Sequence, residues 1–129
     1  MKIIGIGVDI VENNRFKKLT KKKKFINRIC SSKEINIFKK KNNKILYLSK
    51  RFSAKEAFVK ALGSGFRNKL CFNDISILND KSGKPYFLFN QKIRNILKNK
   101  YKLNKFKVHL SLSDEKKYSV SYVILQKIK

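Results

Sequence analysis

The chain has 129 residues and is strongly basic, with 33 lysines and arginines against 8 acidic residues and a net charge of +25. Its length predicts one domain, residues 1–129, and 42% hydrophobic residues exclude a charged disordered tail. No stretch of the sequence approaches the roughly 20 apolar residues that span a membrane. The opening MKIIGIGVDIV is unlike a signal peptide, so we expect a cytoplasmic protein without a membrane partner.

The basic excess has two interpretations. One is nucleic-acid binding, which a strongly positive net charge favours. The other is compositional drift, because runs such as KKKK at 21–24 and KKKNNK at 39–44 use residues with AT-rich codons. Under either interpretation, exposed lysines would steer an acidic partner towards the protein at low salt.

A buried strand and three short helical pieces are predicted for the first 40 residues. Lys2–Ile10 is rich in β-branched residues and lacks polar side chains between its first residue and an acid near its end. Glu12–Leu19 and Phe25–Ile29 are predicted to be helical. Ser31 followed by Glu34 has the form of a capping box that opens a further helix.

The longest helical pattern follows and ends at Gly63. Apolar residues recur there at spacings of three and four, which places them on one side of a helix. Gly63 is a natural stop because glycine adopts the left-handed conformation readily, and residues 64–71 are predicted to form a loop. The apolar positions are Ile45, Leu48, Phe52, Ala54, Phe58, Val59 and Leu62.

Two strands around a turn, and then a helix, are predicted for the next segment. Phe72–Leu78 and Tyr86–Phe89 have strand character, and residues 79–85 between them read NDKSGKP, a dense turn signal. The apolar residues at 93, 96, 97 and 101 fit one face of a helix.

The last segment predicts an antiparallel hairpin. Lys107–Ser113 and Tyr118–Gln126 are joined by the acidic turn at 114–117. With the preceding elements, this predicts an α+β fold: a small single domain with a mostly antiparallel sheet and a long central helix.

Eight acidic residues in so basic a chain make each one informative. Two of them, Asp9 and Glu56, lack an obvious structural role: Asp9 closes an apolar strand, and Glu56 lies in the central helix between Phe52 and Val59. Most of the others have one, as caps or turn residues. These are Glu34, Asp80, Asp114 and Glu115.

Glu56 and Lys60 lie one helical turn apart, which leaves two interpretations. They form an ordinary helix pair worth a few tenths of a kcal/mol, or they belong to a site for Mg²⁺ and phosphate. Mg²⁺ takes one or two protein carboxylates and completes its shell with water and phosphate oxygens. Lys60 would meet phosphate as a point charge, and the glycines at 63 and 65 would let backbone amides approach it.

Four ordered segments of the chain resemble the holo-acyl-carrier-protein synthases, a family of 4′-phosphopantetheinyl transferases. They run in order over nearly the whole chain, and four motifs at matching spacing are a specific signal where one alone is not. The segments are GIGVDIVE at 5–12 with Arg15, RFSAKEAFVKALGSG at 51–65, FND at 72–74 with NDKSGKP at 79–85, and VHLSLSDE at 108–115 with Tyr118.

The resemblance implies a fold, an assembly and a reaction. Members of this family are small α+β proteins that usually form trimers and bind coenzyme A in clefts between subunits. They transfer 4′-phosphopantetheine from coenzyme A to a serine of an acidic acyl carrier protein, with Mg²⁺, and release adenosine 3′,5′-bisphosphate. The reaction supports fatty acid biosynthesis.

The resemblance also implies roles for single residues. Asp9 and Glu56 match the magnesium ligands, and Glu56 or a metal-bound water is the proton acceptor. Lys60 matches a catalytic lysine that contacts phosphate, and Arg15 matches a residue that engages the carrier protein. The other positions that match the coenzyme A site are Arg51, Gly63, Gly65, Gly83, Lys84, Pro85 and His109.

The chain departs from the family pattern at two places. Ser53 stands where alanine is common, and Asp114 follows Ser113 where many members have histidine. His109 is the only histidine, and it is either a hydrogen-bonded structural residue or a contact to the phosphate or adenine of coenzyme A.

Two other functions remain as alternatives to an active transferase. A nucleic-acid-binding protein would explain the charge but not the ordered motifs. A structural subunit that kept the fold and lost catalysis would not need Asp9, Glu56 and Lys60 together.

Overall fold

The computed structural model describes residues 1–63 and 71–128, which form two antiparallel sheets around one long helix. The larger sheet has the strand order β1-β5-β4, and the smaller one pairs β2 with β3. Two short 3-10 turns follow β1, at Asn13–Phe16 and Leu19–Lys21, and a third precedes β2, at Phe72–Asp74. The strands are β1 Lys2–Glu12, β2 Ile75–Asn79, β3 Pro85–Phe89, β4 Phe106–Asp114 and β5 Tyr118–Lys127; the helices are α1 Lys23–Ile29, α2 Ser32–Lys40, α3 Lys44–Leu62 and α4 Gln91–Tyr101.

Helix α3 is the centre of the fold. It begins at Asn43, whose side-chain oxygen accepts a hydrogen bond from the Leu46 amide at 3.0 Å, and it ends at Gly63 in the left-handed conformation with φ 86°. Its side chains contribute to two apolar clusters. In the first cluster, Ala54, Ala57, Phe58 and Ala61 pack with side chains of α4 and of strands β2 to β5. In the second cluster, Leu48 and Val59 pack with side chains of β1, α1 and α2.

Two glycines bring α3 into direct contact with β1. A Cβ atom added at Gly5 would lie 1.8 Å from the Ala61 carbonyl oxygen, and one added at Gly7 would lie 1.8 Å from that of Ala57. Because no larger side chain fits at either position, the helix backbone rests on the strand backbone. This close approach sets the distance between Asp9 and the side chains of α3.

The capping box predicted at the start of α2 is present and also reaches the core. Ser31 accepts from the Glu34 amide, and the Glu34 carboxylate accepts from the Ser31 amide. The same carboxylate pairs with Lys55 of α3, and both side chains are inaccessible to solvent. Burial lowers the pKa of Lys55, and the Glu34 charge opposes that change.

The α+β fold with antiparallel sheets and a long central helix is confirmed, with three differences in detail. Strand β1 continues to Glu12, so Asp9 lies within the strand and not at its end. The helix predicted for 12–19 is replaced by two 3-10 turns, and Phe72–Asp74 is a 3-10 turn that precedes β2. In the described part of the chain, no helix is long and apolar enough to cross a membrane.

Candidate metal and phosphate site

Asp9 and Lys60 form an ion pair between β1 and α3. The Lys60 ammonium donates to Asp9 Oδ1 at 3.1 Å and to the Val8 carbonyl oxygen at 3.0 Å. Ser53, one of the two departures from the family pattern, donates to the Asp9 carbonyl oxygen at 3.3 Å and accepts from the Ser121 hydroxyl at 2.8 Å. Asp9 is therefore fixed by its strand and by α3.

Glu56 is half-buried on α3 and lies close enough to Asp9 for the Asp9 charge to change its pKa. Burial raises the pKa of Glu56, the charge of Asp9 raises it further, and Lys60 lowers it. A carboxylate whose ionisation is disfavoured by a neighbouring carboxylate is one that a bound cation would stabilise. The sequence prediction that Glu56 borders the core is confirmed.

The oxygens available at this site fit a hard divalent cation. Asp9 Oδ2 is buried, and no described residue gives it a hydrogen-bond partner, so it is a free acceptor beside a second carboxylate. Residues 1–63 and 71–128 hold no group of three or more acidic, histidine or cysteine side chains that could bind a metal. Two carboxylates are nevertheless enough, because Mg²⁺ often binds one or two protein carboxylates and takes its remaining oxygens from phosphates and water.

Arg51 lies apart from this pair, at a second group of polar residues. Its guanidinium is 4.2 Å from the centre of the Tyr47 ring and donates to Asn79 Oδ1 at 3.0 Å. Asn79 in turn donates to the Gly83 carbonyl oxygen at 2.8 Å, so Arg51 is linked to the β2–β3 turn. Arg51 Nε is buried and has no partner in the described chain. Arg51 also lines a cavity of about 290 Å³ with Lys41 and Lys50.

The β2–β3 turn is held by the Asp80 carboxylate. Asp80 Oδ1 accepts from the Ser82 hydroxyl and from the amides of Ser82 and Lys84, at 2.7–2.9 Å. These hydrogen bonds lower the pKa of Asp80. Gly83 has φ 89°, a conformation that favours glycine. This geometry fixes the predicted segment of Gly83, Lys84 and Pro85, with Pro85 opening β3.

His109 lies on the opposite face of the larger sheet from Asp9. His109 pairs in register with Ile124, and Ile124 pairs with the exposed Ile6, so these three side chains lie on the outer face of the sheet, away from α3. Asp9 instead pairs with the buried Ser121, on the face that packs against α3. His109 Nε2 is 3.0 Å from Gln126 Oε1. Within one chain, the structure therefore does not bring His109 to Asp9 and Glu56.

The remaining predicted positions lie at the surface or outside the described residues. Arg15 is exposed in the 3-10 turn after β1, beside exposed Lys17 and Lys18. Gly63 ends α3 one turn beyond Lys60. Gly65 lies outside the described residues.

Sequence reasoning missed two polar residues that organise this region. Asn79 was assigned only to a turn, although it bridges Arg51 and Gly83. Lys55 was not singled out, although a signal for it exists: positions 48, 52, 55, 59 and 62 follow the helical period, and 55 is the only charged member of that apolar row.

Comparison with known proteins identifies the family of this chain. The model of the 4′-phosphopantetheinyl transferase superfamily matches residues 5–123. The chain belongs to this family. Its motifs thus match a transferase along nearly the whole length, and the family prediction made from four ordered segments is confirmed.

Relatives within the transferase superfamily are similar over their full lengths. The chain is 58% identical to the holo-[acyl-carrier-protein] synthase of Pelagibacter ubique, over 98% of this chain and 99% of that protein. Among solved structures, it is 37% identical to the Neisseria meningitidis synthase, covering 98% of this chain and 100% of that one with a TM-score of 0.88. The Bacillus anthracis synthase in complex with CoA (3′,5′-ADP) is 34% identical, with 98% of each chain covered and a TM-score of 0.81.

Proposed function

We propose that the chain transfers the 4′-phosphopantetheine arm of coenzyme A to a serine of an apo acyl carrier protein, with Mg²⁺. The observation that carries this proposal is the placement of Asp9, Glu56 and Lys60 together between β1 and α3. Relatives named as holo-acyl-carrier-protein synthases, one of them solved with coenzyme A, support the same substrates.

The residues of the site divide the work of a phosphoryl-type transfer. Asp9 and Glu56 would hold Mg²⁺, which when bound neutralises charge on the pyrophosphate of coenzyme A. Lys60 binds a phosphate oxygen and stabilises the departing adenosine 3′,5′-bisphosphate. The serine oxygen bonds to the β-phosphorus, the bond from that phosphorus to the bridging oxygen breaks with adenosine 3′,5′-bisphosphate as the leaving group, and the serine proton passes to Glu56 or to a water at the site. Catalysis of this kind depends mainly on alignment and charge.

The proposed active unit is a homotrimer with shared sites. The outer face of the larger sheet is apolar and exposed, with Val8 54% and Ile10 61% accessible, an arrangement typical of an interface between subunits. His109 is on this outer face, so it would contact coenzyme A bound to the carboxylates of a neighbouring subunit. Arg51 and the Gly83–Pro85 turn would bind other parts of the same ligand.

The acidic carrier protein is the proposed macromolecular partner, in the cytoplasm and in support of fatty acid biosynthesis. Basic residues on and near α1 form an exposed surface that would speed the encounter and lose this effect at high salt. These residues are Arg15, Lys17, Lys18, Lys21 and Arg28.

The experiment is the mass of an apo acyl carrier protein after incubation with the chain, coenzyme A and Mg²⁺. We expect a gain of one phosphopantetheine that is lost when EDTA replaces Mg²⁺ or when the carrier serine is changed to alanine. No gain with the complete mixture contradicts the proposal. A parallel gel shift on random duplex DNA tests the nucleic-acid alternative through its dependence on salt.

A further inference from the structure

A lysine and a glutamate form an ion pair in the interior, next in sequence to the proposed metal ligand on α3. The Lys55 ammonium donates to Glu34 Oε1 at 2.5 Å, to the Ile29 carbonyl oxygen at 2.6 Å and to the Phe72 carbonyl oxygen at 3.0 Å. Both side chains are 0% accessible to solvent. One ammonium therefore joins α3 to the end of α1, to α2 and to the turn before β2.

Glu34 extends the same network to the smaller sheet. Its Oε1 accepts from the Ser31 amide and its Oε2 accepts from the Ile77 amide of β2, both at 2.9 Å. The Tyr47 hydroxyl of α3 donates to the Glu34 carbonyl oxygen at 3.3 Å. Every charged atom of the pair is thus engaged, and five segments of the chain converge on it.

Stability alone is a weak reason for such a pair. Transfer of two charges from water to the interior costs free energy that their attraction often fails to recover, and apolar replacements of similar volume are frequently as stable. An ion pair with four fixed backbone partners does differ from an apolar contact in one respect, because its hydrogen bonds tolerate little sliding or rotation.

The geometry of α3 connects this pair to the site. Consecutive residues of an α-helix are about 100° apart around its axis, so fixing Lys55 towards α2 also fixes the direction of Glu56. On another side, the contacts of Gly5 and Gly7 with α3 fix its distance from β1. The helix is held by an ion pair and by a backbone contact, and Glu56 lies between these two constraints.

We propose that the Lys55–Glu34 pair is a positioning device, which sets the rotation of α3 and thereby holds Glu56 beside Asp9. This inference rests on the proposed metal site. Neither Lys55 nor Glu34 would touch the metal, coenzyme A or the carrier protein, since both are enclosed by α1, α2, α3 and β2.

The test is a double variant, Lys55→Met with Glu34→Leu, which replaces the pair by apolar side chains of similar size. The control is Ile93→Val on α4, which loosens the core without contacting the pair. Mn²⁺ binding to each folded protein is measured by calorimetry well below its melting temperature. We expect at least about tenfold weaker binding in the double variant and an unchanged dissociation constant in the control. Equal affinity in all three proteins overturns the inference.

A metal-free readout separates this inference from the proposed function. Nuclear Overhauser contacts between Gly7 and Ala57 report how α3 lies on β1, and we expect them to weaken or shift in the double variant. Unchanged contacts there contradict the positioning role. If the intact protein binds no Mn²⁺, the metal assignment fails, and these contacts still decide the role of the pair.

If the double variant does not fold, Glu34→Gln provides the same decision. This substitution keeps the shape of the side chain but removes the negative charge that holds Lys55. We therefore expect the changes predicted for the double variant: weaker Mn²⁺ binding, and weaker or shifted contacts between Gly7 and Ala57. No change in either measurement contradicts the proposal.

Discussion

Lys60 contacts only one of the two carboxylate oxygens of Asp9. Its ammonium lies 3.1 Å from Oδ1, whereas Oδ2 is buried and has no hydrogen-bond partner among residues 1–63 and 71–128. An ammonium on one oxygen neutralises the charge of Asp9 while the other oxygen stays free for a cation. The same lysine can therefore serve the carboxylate before metal binding and a phosphate afterwards.

Lys60→Met tests this double role. Removal of a competing positive charge should strengthen Mn²⁺ binding to the protein without coenzyme A by up to about fivefold, because partly exposed ion pairs contribute up to about 1 kcal/mol. Transfer to the carrier should nevertheless fall by at least about tenfold, since a phosphate contact is lost. Calorimetry and a transfer assay measure the two effects.

A matched control for this substitution is Lys92→Met. Lys92 pairs with Asp74 at 3.3 Å, and its side chain is 59% accessible, similar to the 53% of Lys60. This substitution removes the same charge from a comparable ion pair, one that joins α4 to the turn before β2. Equal changes in Mn²⁺ affinity for both variants would show that only the overall charge matters.

Gly7→Ala should disrupt the contact between β1 and α3. Its Cβ would lie 1.8 Å from the Ala57 carbonyl oxygen, so the strand and the helix must separate, at a cost of about 3 kcal/mol or more in the free energy of unfolding. Gly83→Ala is the comparison, because among the described residues its Cβ meets nothing within 4 Å and only its φ of 89° is unfavourable, a cost of about 1–2 kcal/mol. Urea titrations measure both, and equal losses would argue against close packing at Gly7.

The pH dependence of stability should report on Glu56. Its pKa is raised in the folded protein, mainly by burial and then by Asp9, so the folded state binds more protons than the unfolded state above the ordinary pKa of 4.5. Stability of the metal-free protein should therefore fall as the pH rises through the window between these two pKa values. Glu56→Gln should lack this component, so its free energy of unfolding relative to the intact protein should increase across that window. Urea titrations at several pH values check this, and a constant difference between the two proteins would contradict it.

Local sequence patterns predicted most of the elements of this fold because caps and periodicity act over a few residues. The start of α2 at Ser31 and the end of α3 at Gly63 are set by contacts within one turn, and both were predicted correctly. The extension of β1 to Glu12 was not, because it depends on pairing with β5, which lies more than 100 residues away. Asp9 was therefore expected at the end of a strand that continues for three further residues.

The roles of the site residues could be predicted from the sequence only for residues that belong to a family motif. Asp9, Glu56 and Lys60 stand out by their positions in the sequence, but only the family resemblance favours a metal and phosphate site over an ordinary helix pair. The structure places Lys60 at Asp9, with Glu56 close to both. The role of Lys55 was hidden because 33 basic residues look alike in the sequence, and its partner Glu34 already had a sufficient explanation as a cap. The position of His109 follows from strand alternation, but the face on which it lies becomes meaningful only when a neighbouring subunit is considered.

Val8→Glu should prevent the proposed assembly. The Val8 side chain is 54% accessible on the outer face of the sheet, so the monomer should fold normally while a charge in the interface opposes association. Sedimentation velocity should show a monomer for this variant and a trimer for the intact protein. Asn95→Glu, on the exposed side of α4, adds the same charge elsewhere and should leave the trimer intact; a trimer in Val8→Glu would exclude this face as the interface.

The most direct test of the proposed site compares the intact protein with Glu56→Ala in the transfer of phosphopantetheine. Equal concentrations of the two folded proteins are incubated with coenzyme A, Mg²⁺ and apo carrier protein, and the carrier is weighed by mass spectrometry over time. We expect complete conversion by the intact protein and a rate at least about a hundredfold lower for Glu56→Ala. Near-normal conversion by Glu56→Ala, with its fold unchanged by circular dichroism, would contradict the assignment of the site.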